Sequence, residues 1–224
     1  MDQRLAEGFA QQTRIAVEHV VREEYELLLL HGLLESPLGS NLVFKGGTAL
    51  RLAYGSPRFS DDLDFSAIAP IPTEAFISAA ERLCLGIPQI SLVEALAKHF
   101  TLFALYKVIE VYLSQPFSIK VEISIRPEVW ERDREWELRL LTSNFTNMTV
   151  LARVATLEHM RKDKEEALAT RKQPRDLYDL WFIAQKLRGD FSPDLTGLDR
   201  KAIKRELRKY LPQNHWEVVE QWSE

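Results

Sequence analysis

The sequence predicts an α+β protein with a C-terminal helical lobe, from the order in which two kinds of pattern occur. Strand-like patterns are confined to the first two-thirds of the 224-residue chain, and from about residue 156 the pattern is helical almost to the end. Strands followed by helices, rather than alternating with them, are typical of this class. We therefore predict a core with N-terminal helices over residues 1–150 and a helical lobe over residues 151–224.

Helical spacing of apolar residues predicts the helices of both parts. Residues 2–35 read as one long helix or two consecutive ones, because no proline occurs before Pro37. Another helix is predicted from Pro72 to Leu85, where the proline suits the first turn. The C-terminal helices are predicted over residues 156–171, 174–188, 199–210 and 214–222.

Three segments predict strands. Residues 42–44 form a short apolar run that leads into a Gly-Gly pair, and residues 62–67 form a second short strand. The segment from Phe117 to Arg126 is the clearest, because isoleucine and valine alternate with polar residues. Residues 89–115 fit two strands or helical segments equally well.

Composition limits the classes of protein to consider. A hydrophobic content of 46% and a charged content of 28% indicate a soluble globular chain. The net charge of −4 argues against coating of nucleic acid by bulk charge, so any such contact needs a local basic patch. Cys84 is the only cysteine, which excludes an internal disulfide and favours the cytoplasm. The longest apolar run, residues 27–30, is too short to span a bilayer, and we expect no membrane association.

The most informative feature is a pair of aspartates. Residues two apart in a strand point to the same face, so Asp62 and Asp64 present two carboxylates side by side while Leu63 and Phe65 face the core. Two such carboxylates repel each other unless a cation lies between them. Magnesium prefers hard oxygen ligands and completes its shell with substrate phosphates. The pair therefore predicts a magnesium site.

The Gly46-Gly47 pair lies where a strand gives way to a helix. Without Cβ atoms the backbone can approach a phosphate closely, and the following helix directs free N–H groups toward the same place. Thr48 adds a hydroxyl. A simple turn is the alternative explanation of the glycines.

Glu122 is the candidate third carboxylate, on the polar face of the strand 117–126. It would lie beside Asp62 and Asp64 if the two strands are neighbours, and three acids around two metal ions suit phosphoryl or nucleotidyl transfer. Alternatively, Glu122 is a solvated residue on an exposed strand face.

The predicted C-terminal helices carry a second group of charged residues. Lys164 and Arg171 share a helix face, and Arg175 and Asp179 stand at a spacing that permits a salt bridge. One interpretation is a surface bridge of little energetic value with Lys164 solvated. The other is that Lys164 binds a triphosphate and that Asp176 faces the same cleft.

Basic residues also cluster in the helix predicted over residues 199–210, either as a solvated face or as a surface for an RNA backbone. The basic residues are Arg200, Lys201, Lys204, Arg205, Arg208 and Lys209. The five histidines, in contrast, are scattered without metal-ligand spacing.

These motifs together resemble a known family. Residues 44–50, F-K-G-G-T-A-L, and residues 58–65, R-F-S-D-D-L-D-F, resemble the first motif of the AbiEii/AbiGii and MenT toxin nucleotidyltransferases. Residues 164–180 are similar to the C-terminal motif of that family, and residues 119–123 to its intervening strand. The likeness covers most of residues 40–185.

The resemblance implies a polymerase β-like nucleotidyltransferase core, a small mixed sheet with helices, followed by a helical lobe. In the family the aspartates matching Asp62 and Asp64 bind metal, and the residues matching Lys164 and Asp176 are needed for activity. Members act as toxins of type IV-like toxin–antitoxin or phage-defence systems, and some transfer nucleotides to the 3′ end of tRNA. The Gly-Ser of the wider superfamily is Gly-Thr here, at residues 47–48.

We therefore expect a magnesium-dependent enzyme that transfers NMP from an NTP to an acceptor hydroxyl, with tRNA as acceptor and an antitoxin as protein partner. Two magnesium ions are expected on Asp62, Asp64 and Glu122, and Glu122 or Asp176 is expected to assist deprotonation of the acceptor. The residues expected to bind the NTP are Lys45, Gly46, Gly47, Thr48, Arg58, Ser60, Arg171 and Arg175, with Lys164 on the triphosphate.

Three other functions are alternatives to this one. A metal-dependent glycosyltransferase also uses Asp-x-Asp, but it predicts repeated βαβ units before the motif, where this chain offers one helix and one short strand. A small-molecule or protein nucleotidyltransferase shares the core and differs only in its acceptor. A non-enzymatic binding module leaves the aspartate pair without a purpose.

Overall fold

A computed structural model of the chain describes residues 1–192 and 198–223, which form one mixed sheet flanked by helices. The helices are α1 (Gln3–Thr13), α2 (Val17–Glu35), α3 (Gly46–Tyr54), α4 (Thr73–Arg82), α5 (Leu157–Arg171), α6 (Pro174–Leu187), α7 (Arg200–Tyr210) and α8 (Trp216–Ser223).

Seven strands form the sheet in the spatial order β3-β4-β5-β2-β1-β7-β6. Strand β2 lies between β1, to which it is antiparallel, and β5, to which it is parallel. Strand β1 also pairs in parallel with β7, and the remaining pairs are antiparallel. The strands are β1 (Leu42–Lys45), β2 (Asp62–Ala67), β3 (Ile90–Lys98), β4 (Thr101–Val108), β5 (Phe117–Ser124), β6 (Trp136–Leu141) and β7 (Val150–Ala155).

The α+β class and the mixed sheet are confirmed, and most elements lie where the sequence predicts them. Residues 2–35 form two helices, and the ambiguous segment 89–115 contains strands β3 and β4. Strands β6 and β7 are not among the strands predicted from the sequence. Strand β7 extends past the predicted boundary at residue 150, and the helical part begins at Leu157. The division of the chain into two lobes stays a prediction.

The core lies between the central strands and the helices that cover them. Leu63 and Phe65 of β2 are buried, as the alternation predicts, and Phe44 of β1 packs against Phe65 with ring centroids 5.1 Å apart. Helix α2 buries an apolar face that includes Leu27 and Leu30. Burial of such side chains stabilises the fold by about 1.5–3 kcal/mol each.

The C-terminal helices return to the strand that carries the aspartates. The backbone N–H of Phe59 donates to the carbonyl of Tyr210 at 2.8 Å, and the Tyr210 hydroxyl bonds to Asp61 Oδ2 at 2.7 Å. The C-terminal end of α7 therefore lies against the residues that lead into β2. Within the described ranges, no helix has the length and hydropathy needed to cross a membrane.

Candidate active site

Three carboxylates meet on two neighbouring strands of the sheet. Asp62 and Asp64 occupy alternate positions of β2, and the buried Leu63 lies between them in sequence. The parallel pairing of β2 with β5 places Asp64 directly opposite Glu122. Residues in register on adjacent strands have side chains on the same face. The structure therefore brings the predicted three acids together.

A lysine lies among these acids. Lys120 is opposite Asp62 in the same register, and its Nζ lies 3.1 Å from Asp62 Oδ2 and 3.1 Å from Glu122 Oε2. This ammonium contacts two of the three carboxylates, which leaves the group with excess negative charge. Hard oxygen donors with excess negative charge fit a magnesium ion, so the donor set suits the metal that the sequence predicts.

The excess charge changes the acidity of Asp64. Burial, followed by the negative charge of Asp62, raises the pKa of Asp64 to about 6, although the positive charge of Lys164 opposes the rise. Burial disfavours the charged form of a carboxyl, and a neighbouring carboxylate acts in the same direction. A cation bound at this site would relieve both effects.

Two glycines allow side chains to approach the turn from β1 into α3. Gly46 has φ +82°, and a Cβ there would lie 2.4 Å from Asp64 Oδ2. At Gly47 a Cβ would lie 2.4 Å from Arg58 Nη2 and 2.7 Å from Ser60 Oγ. The pair is therefore required by the packing of three side chains against the backbone, in addition to any phosphate contact.

Thr48 anchors the same turn from inside. Its side chain is fully buried, and its hydroxyl donates to the backbone carbonyl of Asp62 at 2.6 Å. The predicted hydroxyl contact with phosphate is therefore wrong for this conformation, because the donor already fixes the start of β2. The N–H groups of the first turn of α3, which begins at Gly46, have no partner within the helix and remain suited to an anion.

The C-terminal motif forms a buried ion cluster behind the acids. Lys164 of α5 binds Asp176 Oδ1 at 2.9 Å and Asp179 Oδ2 at 2.6 Å. Arg171 donates two hydrogen bonds to Asp176, at 2.8 and 2.9 Å. Arg58, from the segment before β2, makes a two-pronged pair with Asp179 at 2.7 and 2.8 Å. These contacts connect α5, α6 and the segment before β2.

Electrostatics keeps this cluster ionised. Burial favours the neutral form of Asp179, but the charges of Arg58 and Lys164 outweigh it and hold its pKa below the usual value. Burial likewise opposes ionisation of Asp176, while Arg171 and Lys164 lower its pKa. Both acids therefore stay anionic and are poor proton acceptors.

The cluster corrects two predictions about basic residues. Arg58 was expected to bind the NTP, but it is buried and donates to Asp179 and to the Phe59 carbonyl. One interpretation paired Arg175 with Asp179, but Arg175 is exposed, whereas Asp179 is buried against Arg58 and Lys164. The expected contact of Arg175 with the NTP stays a prediction. The interpretation of Lys164 as a solvated residue is also wrong, because its side chain is only 10% exposed.

Lys45 and Ser60 lie at the edge of the acid group. Lys45 is opposite Asp64 in the pairing of β1 with β2, and its Nζ binds Asp163 Oδ2 at 2.8 Å. Ser60 directs its hydroxyl toward Gly47. Both side chains are partly exposed, so a ligand bound at the acids can reach them.

The sequence analysis missed several residues that support the site. Lys120 was not among the predicted site residues, and Asp179 was considered only as a salt-bridge partner of Arg175. Glu23, buried on α2, pairs with Arg51 of α3 and accepts a hydrogen bond from Ser143 at 2.5 Å. The signal for Glu23 was present: acidic residues in an otherwise apolar helix face need a partner when buried.

Comparisons with known proteins identify the family and similar folds. A family model described as nucleotidyl transferase AbiEii toxin, type IV toxin–antitoxin system, matches residues 27–220. JHP933 from Helicobacter pylori has a similar structure, with 22% identity over 93% of this chain and 90% of that chain and a TM-score of 0.58. MenT4, a nucleotidyltransferase toxin from Mycobacterium tuberculosis H37Rv, is similar with 20% identity over 92% of this chain and 68% of that chain and a TM-score of 0.63. No curated protein sequence matches the chain significantly.

The mixed sheet, with the paired aspartates on β2 and the helical C-terminal motif after it, forms a fold shared with a nucleotidyltransferase toxin of known structure. The chain belongs to the AbiEii nucleotidyltransferase toxins of type IV toxin–antitoxin systems, as the match over residues 27–220 shows. The predicted family and enzyme class are therefore confirmed.

Proposed function

We propose that the chain transfers an NMP from an NTP to the 3′ hydroxyl of an RNA, with tRNA as acceptor, in a magnesium-dependent reaction. The observation that carries the proposal is the register of β2 and β5, which sets Glu122 opposite Asp64 and next to the Asp62–Asp64 pair. A toxin acting in this way would make the RNA unusable for aminoacylation, and a cognate antitoxin would restrain it.

Asp62, Asp64 and Glu122 are the residues that would hold magnesium. Bound magnesium supplies Lewis-acid stabilisation of the charge that develops on the phosphoryl oxygens and on the leaving pyrophosphate. The free N–H groups at the start of α3, after Gly46, bind the β- and γ-phosphates. Lys45, near the same turn, adds positive charge.

The transfer forms one bond and breaks another. The acceptor oxygen bonds to the α-phosphorus, the bond from that phosphorus to the bridging oxygen of the β-phosphate breaks, and pyrophosphate leaves. Glu122 accepts the proton of the acceptor hydroxyl, because its side chain is 36% exposed and can reach it. Asp176 is unsuited to this role, since its pKa is lowered and its side chain is fully buried. Lys164 and Asp176 instead hold α5 and α6 in place behind the acids.

Helix α7 supports RNA as the acceptor. Its apolar residues Ile203 and Leu207 are buried, while Lys201, Arg205 and Lys209 recur every four residues on its exposed face. The end of this helix contacts residues 59 and 61, directly before the first aspartate of the pair. A basic face beside an acidic metal site suits a phosphodiester chain whose end enters the site.

The test incubates the purified protein with total tRNA, magnesium and each labelled NTP in turn, beside an Asp62→Asn/Asp64→Asn control. We expect label on RNA with the wild type only, and no transfer when EDTA removes the metal. Label on a small molecule or on protein, with none on RNA, would mean that the acceptor is that molecule and not RNA. No transfer to any acceptor, with magnesium and every NTP supplied, would overturn the proposed reaction.

A further inference from the structure

A second cluster of possible metal ligands lies outside the aspartate site. Nε2 of His159 and single carboxylate oxygens of Glu128 and Asp163 all lie within 4.8 Å of one another. His159 and Asp163 are four residues apart on α5 and so share a helix face, whereas Glu128 comes from the segment after β5. Spacing among the histidines does not reveal this group, because two of its three side chains are carboxylates.

The histidine carries the argument. His159 is 7% exposed, and its Nε2 has no hydrogen-bond partner although it is buried. The nearest acceptors are Glu128 Oε1 at 3.4 Å and Asp163 Oδ1 at 3.7 Å, beyond the usual 2.7–3.2 Å of an N–H···O bond. An unpaired buried polar atom is costly, so a partner is expected in the space between these three groups.

The two separations from His159 Nε2 fit a shared ion better than a shared water. Two ligands that are each about 2.1 Å from a tetrahedral ion lie about 3.4 Å apart. A water about 2.8 Å from each of two groups would hold them about 4.6 Å apart. The two distances from His159 Nε2, 3.4 and 3.7 Å, are close to the first value.

Neighbouring residues already orient these ligands. Asp163 uses its other oxygen, Oδ2, to accept from Lys45 Nζ at 2.8 Å, which leaves Oδ1 for an ion. The ring of Trp130 packs on the imidazole with centroids 4.2 Å apart and limits its rotation. Ligating carboxylates and histidines in proteins are commonly held in this way by surrounding groups.

We propose that Glu128, His159 and Asp163 bind a divalent transition metal ion such as Zn²⁺. This site is separate from the carboxylates that are expected to hold magnesium. One imidazole and two carboxylates suit zinc, whereas magnesium prefers an all-oxygen set. The ion joins the segment after β5 to α5 and holds Asp163 where it binds Lys45, the residue before the glycine turn. The two sites therefore select different metals and are connected through Lys45.

The test titrates the full-length, metal-free protein with ZnCl2 by calorimetry in excess MgCl2, which occupies the aspartate site. We expect one zinc per chain and a rise in Tm on binding, because a ligand of the folded state stabilises it. His159→Gln should weaken zinc binding at least tenfold and remove the rise in Tm. Glu128→Gln, which changes an exposed side chain and leaves the helix intact, should also weaken it at least tenfold.

Two further variants separate this site from the active site and from exposed histidines. Asp62→Asn/Asp64→Asn should lose nucleotidyl transfer but keep the zinc, and His31→Gln, a change of an exposed histidine on α2, should bind zinc as the wild type does. Absence of zinc binding by the wild type would overturn the proposal. Unchanged affinity in both His159→Gln and Glu128→Gln, or loss of zinc from the aspartate variant, would do the same.

Discussion

Asp64 of β2 and Glu122 of β5 lie directly opposite each other in a parallel strand pair. A parallel pair is built from segments that are far apart in the chain, so this relationship depends on the whole sheet. It concentrates negative charge on one face of the sheet, where Lys120 only partly compensates it. The first two predictions follow from that charge.

The raised pKa of Asp64 predicts a gain in stability for Asp64→Asn at high pH. Asp64 binds its proton more tightly in the folded chain, with a pKa of about 6 against an ordinary 3.8, so its stabilising contribution is lost as the pH rises through about 6. The pKa difference corresponds to at most about 3 kcal/mol. Partial exposure to water reduces the expected gain at pH 8 to about 1–2 kcal/mol.

Urea unfolding in EDTA at pH 8 and at pH 5 measures this gain. The advantage of Asp64→Asn should be full at pH 8, fall to about half at pH 5 and approach zero only below the ordinary pKa of 3.8. Glu94→Gln, a change on the exposed face of β3, is the control and should show no pH-dependent difference. Equal stability of Asp64→Asn and wild type at pH 8 would show that the site carries no such strain.

Lys120→Met should increase the affinity for magnesium severalfold. The Lys120 ammonium competes with a metal ion for Asp62 and Glu122, and its removal leaves both carboxylates available. We expect a lower Tm without metal and a larger rise in Tm on addition of magnesium. Lys107→Met on β4, which also removes one lysine, should leave both values unchanged. Weaker magnesium binding by Lys120→Met would mean that the lysine assists the metal site.

Gly46→Ala should abolish transfer, because the added Cβ meets the Asp64 carboxylate at 2.4 Å. Gly55→Ala is the matched control: Gly55 also has positive φ, at +76°, but a Cβ there meets nothing within 4 Å. Both variants should lose about 1 kcal/mol of stability from backbone strain. Only Gly46→Ala should lose magnesium binding, measured by calorimetry. Equal activities in the two variants would show that the approach of Asp64 to the turn is unimportant.

Asp179→Ala should lower the free energy of unfolding by about 3–5 kcal/mol, because it leaves the buried Arg58 without its carboxylate partner and removes one of the two carboxylates that Lys164 binds. Arg175→Ala, which changes an exposed residue of the same helix, should alter stability by no more than about 0.5 kcal/mol. Urea unfolding at pH 7 distinguishes the two. A large loss of stability in Arg175→Ala would instead support the salt bridge between Arg175 and Asp179 that their spacing permits.

The exposed basic face of α7 should govern the binding of RNA. Lys201→Ala/Arg205→Ala/Lys209→Ala should reduce the slope of log affinity against log salt by about 2, since each phosphate contact with single-stranded RNA contributes about 0.7. Filter binding across a range of salt concentrations measures the slope. A control that removes equal charge elsewhere should leave the slope unchanged, and an unchanged slope in the α7 variant would exclude this helix as the RNA surface. The control variant is Lys98→Ala/Lys107→Ala/Arg126→Ala.

The sequence determined the features that depend on local spacing. Alternation in residues 62–65 set the two aspartates on one face, and the Gly-Gly pair marked the turn from strand to helix. The bounds of the C-terminal helices followed from periodicity and from signals such as the proline at the start of α6. These features follow from backbone geometry over a few residues, so they can be inferred without knowing how the chain folds.

Only the tertiary structure decided which charged groups meet. The four-residue spacing of Arg175 and Asp179 permitted a salt bridge between them. Asp179 instead binds Arg58, which is 121 residues away in the chain. In the sequence, no other histidine stands at metal-ligand spacing from His159. In the fold, Glu128 and Asp163 lie beside it. A buried charge interacts with whatever the fold brings within a few ångströms, and desolvation makes those interactions stronger than any exposed local pair. The choice of partners is therefore a property of the sheet register and helix packing, which local spacing cannot specify.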